Sequence, residues 1–318
     1  FTCNTINLNK KLQILKNYNF NKNEIEEINN NLVNLTNNII SPKFKRIEKE
    51  YKRLEKLEEY RIDILKLDKF ETDKIFELTQ ILKKYGTLPF SNLARFAFIG
   101  KSILLSFVEE NIFTTERYDE FMESVHTVSK DMSQDIHLYS KNEVSLDTFL
   151  NKYGHLRPGT YDITSNRYDE DFKTYFSNDY VNNIKLNDCN MNINIFKLTE
   201  NEKDLINISL KKSSFSDDIN ADNILNFIKL SIEAREYSKF IFSRTLSEIL
   251  KLIKNFINIY NISKEEGSHL DFQIFNQIYS ELKLLPLKDI LIDNIKNNKS
   301  NYNINSKLNL PQLILKSD

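Results

Sequence analysis

Apolar residues recur along most of this chain at the three-and-four spacing of an amphipathic helix, not at the alternation of a half-buried strand. Ile25, Ile28, Leu32, Leu35 and Ile39 share one face of a helix expected over residues 24–40. A highly charged helix is expected over 43–66, with Pro42 just ahead of it, where a missing N–H costs least. Its i,i+4 neighbours include Glu50 with Leu54 and Glu55 with Glu59, which form no ion pairs, so burial has to hold it. A third helix is expected over 71–85, ended by Gly86, and a fourth over 91–111 after Pro89. The fourth is apolar nearly all round, through Leu93, Phe96, Phe98, Ile99, Ile103 and Leu105, and belongs in a core. Thr114 or Thr115 caps a fifth over 116–140.

After the 145–168 segment the pattern changes. Residues 152–168 read as a shaped loop, and 169–198 as irregular structure with at most a short strand near Ile193–Phe196. Thr199 to Glu202 has the form of a capping box and opens a helix to about 212. The longest helical pattern covers 221–261, a second capping box lies at Ser263–Glu266, and a helix over Asp271–Leu282 is broken by Pro286. The expected fold class is all-α: an irregular multi-helix domain with a Gly/Pro-shaped functional loop and at most a short β element. We expect an N-terminal helical segment over 1–88, a main helical domain over 89–297, and a polar linker over 298–318.

Composition narrows the function classes. Only 5 Gly and 5 Pro occur in 318 residues, as a helical chain requires. Lys and Arg number 44 against 45 Asp and Glu, which argues against a dedicated nucleic-acid binder. The 2 cysteines, Cys3 and Cys189, are too few for a disulfide framework or a structural zinc site. His126, His137 and His269 have no ligand-spaced companions, so no metal site is expected. The apolar runs are too short to span a bilayer, and the expected location is the cytoplasm, with no membrane partner. The chain starts at Phe1, and we expect it to be part of a longer protein.

Two clusters carry candidate chemistry. Within Gly154–Gly159 fall two of the 5 glycines, one of the 5 prolines and one of the 4 histidines. Gly154 and Gly159 permit a left-handed backbone and close approach to a ligand, and Pro158 stiffens the turn. His155 is the candidate catalytic group, placed to titrate near neutrality. Arg157 and Arg167 are candidate grips for carboxylate or phosphate, and Asp162 for orienting the imidazole or holding an ammonium. A buried turn whose Arg and Asp satisfy backbone groups is the competing reading. The second cluster lies inside the 221–261 helix, where Arg235 and Lys239 share a face and Glu236 and Arg244 lie nearby. Charges on a mostly buried helix need partners, either side chains or an anionic substrate. Contact between Glu236 and Arg157 or His155 is expected.

The segment Phe149 to Ile163, with Tyr153-Gly154-His155-Leu156-Arg157-Pro158-Gly159-Thr160-Tyr161-Asp162 at its centre, resembles the "YGHRxPGExD" segment of phosphoenolpyruvate-synthase-like phosphotransferases, which include the rifamycin phosphotransferases. Leu93–Ile99, Arg235–Phe240 with Arg244, and Leu310-Pro311 are similar to further segments of that family. Leu156 and Thr160 depart from it, standing where relatives often have Arg and Glu.

The resemblance implies an acceptor-binding helical domain between an ATP-grasp domain and a swivelling phosphohistidine domain of the same polypeptide. It implies a small-molecule acceptor, L-glutamine in the members most similar in style, with pyruvate or a rifamycin-like drug as alternatives. ATP and Mg²⁺ are implied for the complete enzyme and no cofactor for this part of it, which is expected to be inactive alone. The alternative is a structural hinge domain of such an enzyme.

Overall fold

In a computed structural model that describes residues 2–177, 196–280 and 286–310, the helical periodicity becomes helices throughout. The fold is all-α, 74% helical and without a strand among the described residues. A short helix α1 (Leu8–Leu12) and a 3-10 turn (Gln13–Tyr18) open the chain, an element that its weak periodicity did not announce. Helix α2 (Lys22–Ile40) starts in a reciprocal capping box between Asn21 and Glu24, and α3 (Arg46–Lys66) follows a 3-10 turn at Pro42–Phe44.

Helix α4 (Glu71–Ile81) does not stop at Gly86. A π turn (Leu82–Thr87) carries it directly into α5 (Leu88–Glu109). Pro89 has no N–H to give and its ring crowds the carbonyl one turn back, and the wider π turn lies where that strain falls. Gly86 is needed for proximity: a Cβ there would sit 2.8 Å from Leu82 Cδ1, 3.1 Å from Leu57 Cδ2 and 3.2 Å from Phe242 Cδ2. The boundary expected between 88 and 89 therefore falls inside a continuous helix. One apolar core also joins its two sides, taking in Leu57, Leu78, Leu93, Ile228 and Leu291. The joined helix Glu71–Glu109 is long and apolar enough by composition to cross a bilayer, and 50% of its most apolar stretch is buried inside the fold.

The helix expected over 116–140 is two helices, α6 (Thr115–Ser124) and α7 (Val128–Ser140). Thr127 caps the second through Lys130 N, Lys130 Nζ closes the first on the carbonyls of Glu123 and Val125, and Glu233 accepts from His126 N at the break. Helix α8 (Leu146–Tyr153), capped by Ser145, leads into the expected loop, and a single turn α9 (Phe172–Tyr175) lies beyond it. The short strand expected near 193–196 lies outside the described residues except for Phe196, whose ring packs edge-on against Phe113 and Phe121.

Helix α10 (Glu200–Lys212) opens with the capping box of Thr199 and Glu202. Helix α11 (Ala221–Ile259), 39 residues long, is the axis of the molecule and packs on α5, α4 and α3. Its buried Ser231, Ser238 and Ser243 each donate to a carbonyl of their own helix, so the hydroxyls need no outside partner. Gly100 brings α5 against α11: a Cβ there would lie 2.9 Å from Ser231 Oγ and 3.2 Å from Ile228 Cα. The chain closes with α12 (Lys264–Gly267), capped by Ser263 and Glu266, α13 (Gln273–Ser280) and α14 (Leu287–Asn305). The linker expected from 298 is thus helical through Asn305, held by Leu291 and Ile295 in the core.

Candidate functional site

Helix α8 delivers the chain to the glycine loop, whose base is pinned by Tyr168 N donating to Leu156 O (2.9 Å) and Asp169 N to Gly154 O (3.1 Å). None of the described glycines has a positive φ, so the left-handed role expected of Gly154 and Gly159 is not used. Both are small for want of space. A Cβ on Gly154 would run into Leu150 O and stand 2.9 Å from Asp169 Cβ, and one on Gly159 would stand 2.7 Å from Asp162 Cβ. Asp162 folds the loop tip, accepting from Thr164 N (2.8 Å), Thr164 Oγ1 (2.6 Å) and Ser165 Oγ (2.8 Å). The hydroxyls of Thr164 and Ser165 hold its carboxyl below the usual carboxylate range. It is engaged there and not on His155.

His155 is 5% exposed. Its Nε2 lies 3.5 Å from Ser243 Oγ, and its ring stands edge-on to Phe240 at 4.8 Å. Burial pushes its pKa down to about 3, helped by the Arg244 and Arg167 cations and opposed by a hydrogen bond with the Phe240 backbone. The expectation of an imidazole titrating near neutrality is corrected: a buried ring among guanidiniums stays neutral. It can orient a hydroxyl, but it is too weak a base to take a proton at neutral pH.

Both loop arginines tie the loop to α11. Arg157 Nη1 donates to the carbonyls of Asp162 (3.2 Å) and Ser165 (3.1 Å), and Nη2 to Ser247 Oγ (3.1 Å), while its buried Nε has no partner among the described residues. Arg167 forks onto Asp169 at 2.9 and 2.7 Å and extends Nη1 to Glu248 Oε1 at 2.7 Å. Burial works against its charge, but Glu248 and Asp169 more than offset that and raise its pKa.

Of the charged residues named on the long helix, only Arg244 faces this junction. Its Nη1 donates to Glu58 Oε2 at 2.6 Å, and its guanidinium lies 5.1 Å from the Phe240 ring centre. Glu58 is also gripped by Arg61 Nε and Nη2, both at 3.1 Å. Arg235 points elsewhere, 3.4 Å from Glu236 Oε1 and 5.7 Å from the Phe98 ring centre, and Lys239 is exposed. The expected contact of Glu236 with Arg157 or His155 is not formed. The loop meets α11 through Phe240, Ser243, Ser247 and Glu248, a helical stripe that begins one turn beyond Glu236.

No family model, curated protein or solved structure matches this chain. The geometry itself defines what the junction can do. It gathers Arg61, Arg167 and Arg244 about a neutral imidazole, with Glu58, Asp169 and Glu248 as their counter-charges. Arg61 and Glu58 were not among the residues expected here, because they lie in a Lys- and Glu-rich run with one discernible mark, an i,i+3 pairing. No group of three or more His, Cys, Asp and Glu among the described residues could hold a metal ion.

Proposed function

We propose that this chain is the acceptor-binding helical domain of a dikinase-type phosphotransferase, nearest to the L-glutamine kinase that begins capsule phosphoramidate synthesis. The observation that supports this reading is the convergence on one carboxylate, Glu58, of Arg61 and Arg244, beside the histidine of the motif-bearing loop. Phosphoryl transfer needs chiefly placed positive charge, and paired guanidiniums supply it in a form suited to phosphoryl or carboxylate oxygens. The side chains of Arg244 and Arg61 are 23% and 14% exposed, so an incoming anion can exchange with Glu58. His155 acts as a positioning residue, its ring packed on Phe240, whose ring also lies against Arg244, and its Nε2 3.5 Å from Ser243 Oγ. ATP and Mg²⁺ belong to an ATP-grasp domain, and the transferred group arrives on a phosphohistidine domain.

The test is phosphorus NMR of products formed from ATP and L-glutamine by the full-length polypeptide. Arg244→Gln should raise KM for glutamine and leave phosphorylation of the histidine domain unchanged. Phosphorylation of pyruvate or a rifamycin instead would reassign the acceptor, and an unaltered KM would remove Arg244 from the site. One observation favours the second reading, a hinge domain: Arg157, Arg167 and Asp162 spend their hydrogen bonds inside the fold. That reading expects no glutamine binding and no KM effect.

A further inference from the structure

An open groove of about 1120 Å³ lies between α2, the start of α3 and α5, and it shares no lining residue with the loop junction. Its floor is apolar, formed by Leu35, Ile39, Phe98, Ile99 and Leu105. Three of these are well exposed, Phe98 at 61%, Leu35 at 49% and Leu105 at 41%. Large apolar side chains left open side by side along a concave surface mark a binding site more than scattered exposure does.

The rim adds a sign. Arg95 and Lys101 line the groove from α5 and Arg46 lines it from α3; all three are exposed and form no ion pair with a described residue, and Arg46 gives its Nε to Asn38 O at 3.3 Å. The carboxylate in the groove, Glu50, is buried and already accepts from Arg53 at 3.1 and 3.0 Å and from Asn92 at 3.0 Å, so it leaves the rim cations unneutralised. Helix α5 borders the groove from Asn92 to Leu105, a length of about 20 Å at the helical rise. Phe98 stands between Arg95 and Lys101 in sequence, so charge and apolar floor are presented by the same side of one helix.

We propose that this groove binds an elongated amphipathic anion of the long-chain carboxylate class. The chain lies along Leu35, Ile39, Phe98 and Leu105, and the carboxylate lies against Arg95 and Lys101. The unpaired cations of the rim, with Arg95 and Lys101 on the helix that carries Phe98 and Leu105, select an anion over a neutral lipid. The length of the groove suits an extended chain and exceeds what an amino acid would fill. The inference is independent of the acceptor reading, since its readout is direct binding.

The experiment is calorimetric titration of the full chain with myristate. Saturable binding of one equivalent is expected. Arg95→Glu combined with Lys101→Glu should weaken myristate about tenfold or more while leaving a neutral tetradecanol probe little changed, because only the charge contact is reversed. Leu105→Glu should abolish both. All three positions are exposed, and circular dichroism checks the fold; if Leu105→Glu does not fold, Phe98→Asp gives the same reading. No saturable binding overturns the proposal, and so does myristate affinity indifferent to the charge reversals. Binding of an acidic amphipathic peptide in place of myristate also overturns it.

Discussion

Arg167 and Glu248, 81 positions apart, form a 2.7 Å ion pair that joins the glycine loop to the long central helix. Their side chains are 7% and 19% exposed, and the other edge of the same guanidinium is occupied by Asp169. Breaking such a pair from one side strands the remaining charge, so Arg167→Ala should cost about 3–5 kcal/mol in urea unfolding. Arg167→Lys keeps the charge and loses the fork, and should recover only part of that loss. A loss near that of an exposed pair, below about 1 kcal/mol, would mean that the loop is not anchored here.

His155 should remain neutral throughout the physiological range. Its folded pKa, pushed to about 3, lies below that of an unfolded histidine. The unfolded chain therefore binds more protons between the two values. His155 imposes no penalty above about pH 6.5, and stability falls with pH below that, by at most about 1.4 kcal/mol per unit, until the folded value is reached. The ring resonances of His155 followed by NMR should not move between pH 8 and pH 5, on the order of the window given by the reference value. His155→Asn should flatten the acid limb of the stability profile. An imidazole titrating near neutrality would contradict the buried placement.

Gly100→Ala tests the closest approach of α5 to α11. Alanine is the better helix former, yet its Cβ would meet Ser231 Oγ at 2.9 Å and the Ile228 backbone at 3.2 Å. Overpacking should outweigh propensity and destabilise by about 1–3 kcal/mol. Thermal unfolding reads the result, and a raised Tm would show that the helices can part at little cost.

Asp162→Asn should loosen the loop tip in a pH-dependent way. The wild-type carboxyl is held below its usual range by Thr164 and Ser165, so its contribution is present above the unfolded carboxylate pKa and is lost as pH falls through the lower folded value. The stability gap between wild type and variant should be about 1–2 kcal/mol at neutral pH and shrink below about pH 4. A gap constant with pH would assign the effect to shape and not to charge.

Much of the fold was legible in local signals. The capping boxes at Thr199 and Ser263 appear where their residue types placed them, because a cap depends on atoms three positions apart. The stop at Gly86 and Pro89 was misread for the opposite reason. Whether a Gly-Pro neighbourhood ends a helix or only widens it depends on what packs there, and here Leu57 and Phe242 stand so close to Gly86 that a Cβ would crowd them. The site was legible in part. Arg157, Arg167 and Asp162 were named from their loop, but their partners Ser247 and Glu248 could not be. Arg235 and Lys239 were named alongside Arg244 and lie away from the junction.

The sequence by itself determined that this protein is built of helices and where most of them begin, since periodicity and capping are properties of neighbours along the chain. Only the tertiary structure decided what the charges do. Glu58 and Arg244 are 186 positions apart, and nothing local marks them as a pair. The neutrality of His155 is likewise a property of packing: removal from water and the nearness of Arg244 and Arg167 set it, and both arise only when the loop closes on the central helix.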